Sequence, residues 1–238
     1  MIGTALIAGG SALAAAGSWY LAPMAARKLQ EVQLRNLCIA TKSLVLTYDD
    51  GPGEKLTPQL LDLLKLRNAR ATFFLTGFRA TDNPELVDEI AGQGHEIACH
   101  TQQHLNAWRT SPWRSVHDID EGYQSLARWV PQDGWFRPPF GKLTLLTWAR
   151  IKSRKAPLGW WTIRSGDDAE VLPETDTAAI KVKRDGGGVV LLHDFDRSDQ
   201  RAEFMLESTS KLLDAADEHG WTVCTLSELT GENCKRAA

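Results

Sequence analysis

The chain has 238 residues, 43% hydrophobic and 24% charged, which suffices for one sizeable α/β domain and is too little for two full ones. A net charge of −3, an isoelectric point near 6.1 and the lack of a long basic run argue against a nucleic-acid partner, which calls for a basic face. The four cysteines, Cys38, Cys99, Cys224 and Cys234, show no paired metal spacing and are too sparse for a disulfide framework. Buried thiols in a reducing compartment are the simplest reading, with a Cys224 to Cys234 bridge as the alternative.

Residues 2–26 carry no charged side chain, place Trp19 and Tyr20 near their end, and are followed directly by Arg27 and Lys28. That length and aromatic placement predict a retained membrane anchor over residues 1–26, since no basic region precedes it as in a signal peptide. Gly9, Gly10, Gly17 and Pro23 weaken a straight helix, so a segment dipping into one leaflet is the alternative. Arg27, Lys28 and Arg35 against a single Glu31 favour the cytoplasmic side for the catalytic part of the chain, with the exported side as the other option. Residues 27–42 read as a connecting segment and 43–230 as the catalytic domain.

Within that domain strand-like runs recur at 44–48, 71–75, 96–99, 135–137, 158–162, 189–192 and 221–226. Helical patterns lie between them. Thr57-Pro58, Asn83-Pro84 and Ser111-Pro112 each place a capping side chain before a proline, the last opening a run to Trp129. Others span 143–152, 176–183 and 202–219, the last closed by Gly220. Alternation of this kind implies parallel strands with right-handed crossovers, as an open doubly wound sheet or a closed β/α barrel.

The chemistry gathers at strand ends. Asp49-Asp50-Gly51-Pro52 leaves two adjacent carboxylates at the mouth of a core strand, where they repel one another unless a cation compensates them. His100-Thr101-Gln102-Gln103-His104 comes directly after the strand at 96–99, and its spacing predicts two imidazoles on one face of a helical turn, able to share a metal. Arg137, Asp167 and His193 also sit just past strands, so five strand ends deliver Asp, His, Arg, Asp and His to the face where β/α folds place active sites. One carboxylate and two imidazoles, with open positions, suit a hydrolytic zinc site. A divalent cation acidifies water and polarises a carbonyl, a second carboxylate can act as base, and His193 can protonate the leaving group.

In chain order, Thr47-Tyr48-Asp49-Asp50-Gly51-Pro52, His100-Thr101-Gln102-Gln103-His104, Arg137-Pro138-Pro139-Phe140-Gly141 and Leu191-Leu192-His193-Asp194 resemble four motifs of the polysaccharide deacetylases, carbohydrate esterase family 4. The resemblance covers roughly residues 42–229. It implies a distorted β/α barrel of about seven parallel strands and metal-dependent removal of acetyl groups from sugars. It further implies Asp49 as general base, Asp50, His100 and His104 as ligands of one divalent cation, Arg137 as the group orienting Asp49, the Phe140 N–H as an oxyanion donor, and His193 as general acid beside Leu191. Zinc is the first expectation for the metal, with cobalt, nickel or manganese as substitutes. The remaining motif departs from the family's Asp-x-x-Asp-Trp: Arg164-Ser165-Gly166-Asp167-Asp168 keeps only the second acid, Asp167, as a partner for His193.

His95, His117 and His219 read as structural, as do Trp135, Trp148, Trp160 and Trp221, whereas Trp108 and Trp113 could stack on a sugar. The expected activity is hydrolysis of an N-acyl group on an amino sugar, in a polysaccharide or carried on a lipid. A deformylase acting on a lipid-linked precursor is an alternative, and so is an inactive relative that binds sugar or metal. Against inactivity stands the retention of both Asp49 and His193, which a mere binding protein does not need.

Overall fold

The computed structural model describes residues 2–231, with side chains from residue 19 onward. In chain order its elements are α1 (Ile2–Thr41), β1 (Ser43–Asp49), α2 (Leu56–Leu66), β2 (Thr72–Leu75), α3 (Gly77–Asp82), α4 (Pro84–Gly92), β3 (Glu96–Cys99), α5 (Pro112–Ser125), α6 (Leu145–Ser153), β4 (Ile163–Arg164), α7 (Thr177–Asp185), β5 (Gly188–His193), α8 (Asp199–His219), β6 (Thr222–Val223) and α9 (Leu226–Thr230). Every pairing in the sheet is parallel, and the strand order is β3-β2-β1-β5-β4 with β6 on β1.

β1 is central, and all seven of its residues are buried. A strand covered on both faces needs a continuous apolar run, which Leu44, Val45, Leu46 and Tyr48 supply. Helices close over it with stripes at helical spacing, such as Leu56, Leu60, Leu61 and Leu64 on α2 and Phe204, Met205, Ser208, Thr209, Leu212 and Leu213 on α8.

Six strands form among the described residues where seven are expected. Residues 135–137 contribute only the bridges Cys99↔Phe136 and Phe136↔Leu158. Arg137-Pro138-Pro139 is the physical reason, because prolines have no N–H to extend the ladder. The segment 157–165 then does double duty: Gly159 N–H donates to Phe136 O at 2.9 Å, and Thr162 N–H to Val189 O at 2.9 Å on β5. The sheet thereby curls round on itself as an irregular barrel.

Helix starts obey the capping signals in part. Ser111 accepts from Arg114 N–H and Gly220 closes α8 in the left-handed region, but α5 ends at Ser125, short of Trp129. Thr57 is no cap. α2 begins one residue earlier, its first amides taken by Asp196, while Thr57 Oγ1 accepts from Gly53 N–H and donates to buried Asp194.

Residues 27–41 of the connecting segment expected at 27–42 are the C-terminal part of α1, which lays Leu34 and Cys38 into the core. No helix among the described residues is long and apolar enough to cross a membrane. The anchor expected at 1–26 is therefore unsupported, and the side chains of its first 18 residues lie outside the described ones. Cys38, Cys99 and Cys224 are buried thiols, and Cys234 lies beyond the described residues.

Candidate active site

Parallel register brings the predicted groups together. Asp49 pairs in register with Phe74 on one side and with His193 on the other, so base and acid candidates leave neighbouring strands side by side. β3 ends at Cys99, and His100 N–H donates to Leu75 O at 2.9 Å, which sets the next loop against β2.

His100 Nε2 lies 3.3 Å and His104 Nε2 3.1 Å from Asp50 Oδ1, and one ligand atom from each of the three falls within 4.8 Å of the others. The expected helical turn is absent. Residues 100–104 form an irregular loop in which Thr101 and His104 adopt φ of 68° and 54°, conformations that non-glycine residues hold only when their surroundings impose them. Here Asp118 on α5 imposes them: Oδ1 accepts from Gln103 N–H at 2.7 Å and Oδ2 from Leu105 N–H at 3.2 Å. Gly122, one turn along, lets α5 approach, since a Cβ there would meet the Thr101 carbonyl carbon at 2.5 Å.

The trio fits a cation on the chemistry of its atoms. His100 Nδ1 is 2.7 Å from Arg137 O, a carbonyl that can only accept, so in the neutral ring Nε2 carries the lone pair. That lone pair faces Asp50 Oδ1, a buried oxygen with no hydrogen-bond partner among the described residues. Two acceptors at 3.3 Å repel unless a positive ion lies between them. His104 is pushed down to about 4, by burial first and then by the charge of His100, so its ring is neutral and ligand-competent. Burial works to raise the Asp50 carboxyl, but the contact with His100 and the neighbouring His193 outweigh it and hold it below the usual carboxylate range.

Asp49 borders this trio, its Oδ2 3.8 Å from His100 Nε2, but its other oxygen is held from the opposite side. The guanidinium of Arg137, fully buried, donates from Nη1 to Asp49 Oδ1 at 2.6 Å and to Thr47 Oγ1 at 2.8 Å, and from Nε to Gly159 O at 2.6 Å. It stacks 4.0 Å from the centre of the Phe74 ring. On the far flank His193 Nδ1 meets Asp167 Oδ1 at 3.0 Å, and the His193 N–H donates to Asp167 Oδ2 at 2.8 Å. Burial opposes protonation of His193, but Asp167, with Asp49 and Asp50 behind it, raises its pKa to about 9. Asp167 itself, which burial would raise, is drawn low by His193, Ser165 and Arg197. Asp49, Asp50, His100, His104 and His193 line one cavity of about 430 Å³, with Leu191 and Phe140 in its wall, and Arg137 and Asp167 are buried behind them.

The family model for polysaccharide deacetylase matches residues 38–157. A peptidoglycan-N-acetylglucosamine deacetylase of Bacillus cereus is 34% identical over 192 residues, 79% of this chain and 88% of its own length. The chain belongs to the polysaccharide deacetylase family. A chitooligosaccharide deacetylase of Bradyrhizobium sp. is 30% identical over 200 residues, 79% of this chain and 91% of its own. The crystal structure of a peptidoglycan N-acetylglucosamine deacetylase in complex with an N-hydroxybenzamide compound matches with a TM-score of 0.71 at 26% identity, covering 80% of this chain and 89% of that one. The protein is thus a hydrolase of carbon–nitrogen bonds other than peptide bonds.

Further features of this deacetylase refine the sequence reading. Phe140 sits at φ 57° in the turn Pro139–Gly141, whose next two amides are taken by Pro138 O and Pro139 O. Among the described residues the Phe140 N–H has no hydrogen-bond acceptor, as an oxyanion donor requires. Trp108 does not line the catalytic cavity: its indole N–H donates to Leu143 O, Lys142 covers its ring at 3.9 Å, and it borders a neighbouring groove. In the altered motif Asp168 pairs with Arg164, and Asp167 is the partner of His193. His95 is structural, accepting from Ala71 N–H.

Two supporting residues escape sequence reasoning. Asp118 looks like any helix acid, and only its place on the first helix after the histidine loop hints at a role. Arg27 on α1 donates to Gly141 O at 3.0 Å, bracing the Phe140 turn from a helix that lies almost wholly outside the family match.

Metal titration of three variants tests the division of labour. Asp50→Ala should lose the cation, Asp49→Asn should keep it while losing turnover, and Asp118→Ala should weaken it by about tenfold to a hundredfold. Equal metal loss in the Asp49 and Asp50 variants would show that base and ligand are misassigned.

Proposed function

We propose that this deacetylase holds one divalent cation, zinc, on Asp50, His100 and His104, and hydrolyses the acetyl amide of an N-acetylglucosamine unit in a peptidoglycan or chitooligosaccharide type of glycan. The observation that carries the reading is the facing pair of acceptors, Asp50 Oδ1 and His100 Nε2, flanked by an arginine-braced carboxylate and by a protonated imidazole. The kinship with deacetylases of both substrate classes supports the choice of sugar.

A bound zinc ion supplies Lewis acidity, making water more acidic and the amide carbonyl more electrophilic. The chain's own groups do the rest. Asp49, fixed through Oδ1 by Arg137, takes a proton from the attacking water. The Phe140 N–H hydrogen-bonds the oxygen that gains charge as the carbonyl carbon becomes tetrahedral. His193 Nε2 gives its proton to the departing nitrogen, and the Nδ1 contact with Asp167 keeps the ring in orientation and favours its charged form. The C–N bond breaks to give acetate and a free amino sugar.

With the zinc-loaded enzyme, acetate should appear in step with loss of one acetyl group per modified sugar by mass spectrometry, and a chelator should stop both. Sugar left fully acetylated by metal-replete protein would refute the reading.

The pH profile probes the acid separately. His193 must be protonated to act, so kcat/KM falls as pH rises through its pKa; removing the Asp167 charge lowers that pKa and moves the alkaline limb to lower pH. Asp167→Asn should shift it by roughly one unit. Asp168→Asn, which breaks only the pairing with Arg164, should leave the limb in place. A shift in the Asp168 variant alone would contradict the assignment.

A further inference from the structure

Beside the catalytic cavity lies a second groove of about 360 Å³, walled on one side by α1 and on the other by Trp108 and residues 141–143. Gly141 and Lys142 line both, so a chain of sugars whose acyl group enters the first meets the second without a break. The volume lies within the range of small-ligand sites.

Its charge is opposite to that of the protein. Arg27, Lys28 and Lys142 line it against one acid, Glu31, a balance of +2 in a chain of net charge −3. Glu31 is committed to Arg27 at 2.6 Å, with Lys28 at 3.7 Å and largely exposed. Lys142 has no carboxylate partner among the described residues; its ammonium rests 3.9 Å over the Trp108 ring, at the edge between the two cavities. Arg27 nests in the corner formed by Trp160 and Trp161, 4.7 and 4.6 Å from their rings, and donates to Glu31 and to Gly141 O, so its charge is fixed in the wall. Lys142, resting on an indole face with no carboxylate partner among the described residues, keeps its hydrogen-bond donors for another partner. The altered motif adds to the same bias: Arg164 stands on the catalytic rim where the family pattern has an acid, and neutralises Asp168.

We propose that this groove is a binding site for an anionic group, a carboxylate or a phosphate, borne on the unit next to the sugar being deacetylated, with Lys142 as its principal contact and Arg27 and Lys28 beside it. The site selects anionic glycans over neutral oligosaccharides of the same length. This rests on the deacetylase reading for its placement of the reacting sugar, and on α1 for its far wall.

The test compares zinc-loaded full-length enzyme on a neutral N-acetylglucosamine tetramer, a tetrasaccharide of equal length carrying muramic-type carboxylates, and an N-acetylated disaccharide with an anomeric phosphodiester. The site predicts kcat/KM higher by about tenfold for at least one anionic substrate at low salt, an advantage cut to about twofold at roughly 0.5 M salt or by Lys142→Gln. The effect should lie mainly in KM, and whichever anionic substrate shows it identifies carboxylate or phosphate as the source. Lys65→Gln, on α2 at the opposite end of the barrel, should leave the ratio unchanged. Equal kcat/KM for all three substrates, or a preference that survives Lys142→Gln, overturns the proposal.

Binding of the same glycans to the Asp49→Asn variant, monitored by tryptophan fluorescence, separates two failures. If no acetate is released by the parent enzyme but the anionic preference in binding persists and is lost on adding Lys142→Gln, the reaction is misassigned and the site stands. If binding shows no anionic preference, the site falls whatever the activity.

Discussion

Two neighbouring carboxylates at the end of a fully buried strand cannot both stay ionised without help, and the structure compensates each in a different way. Asp49 is met by Arg137, an arginine buried completely among Thr47, Gly159 and Phe74. Asp50 is met by the Nε2 atoms of His100 and His104, 3.3 and 3.1 Å from its Oδ1, and the proposed cation completes the trio. Breaking a buried pair such as Arg137 and Asp49 leaves an unpaired charge at a cost of about 3–5 kcal/mol, which makes the arrangement stiff. That stiffness separates the two jobs. In the proposed mechanism the acid braced by protein moves the proton, and the other holds the metal.

Much else serves that separation. Register on β1 and β5 puts Asp49 beside His193, and Asp167 holds His193 charged from the other side. Asp118 and Gly122 let α5 pin the strained loop that carries His104. Arg27 reaches from α1 to the carbonyl of Gly141 and steadies the turn that presents the Phe140 N–H. Each of these contacts joins an element distant in sequence to a loop at the same barrel mouth.

The reach of sequence reasoning is set by which interactions are local. Leu44 to Tyr48 announce a buried strand because nothing but apolar residues fits there, and the acids and histidines after strands stand out by position alone. Asp49, Asp50, His100, His104 and His193, which the structure gathers at one cavity, are all legible in this way. The helical turn expected for His100 and His104 is wrong because spacing of four reports only which residues share a face if a helix forms. Here the contact is made by a loop whose φ values are imposed by Asp118, a long-range effect invisible in a window of five residues. The strand expected at 135–137 fails because prolines truncate its ladder. α1 is misread from Arg27 onward because its burial depends on Leu34 and Cys38 meeting a core built by later segments. Proximity in sequence points Trp108 to the substrate pocket, whereas Lys142 and Leu143 draw it into the adjoining groove.

The central claim is that Asp50, and not Asp49, is the carboxylate of the metal site. An anomalous difference map at the zinc edge, from crystals of zinc-loaded protein at neutral pH, tests it directly. The account predicts one peak bonded to Asp50, His100 Nε2 and His104 Nε2, with the histidine nitrogens at about 2.0–2.1 Å and Asp49 still on Arg137. A peak ligated by Asp49 with Asp50 turned away, or one lying off the three residues altogether, would contradict it.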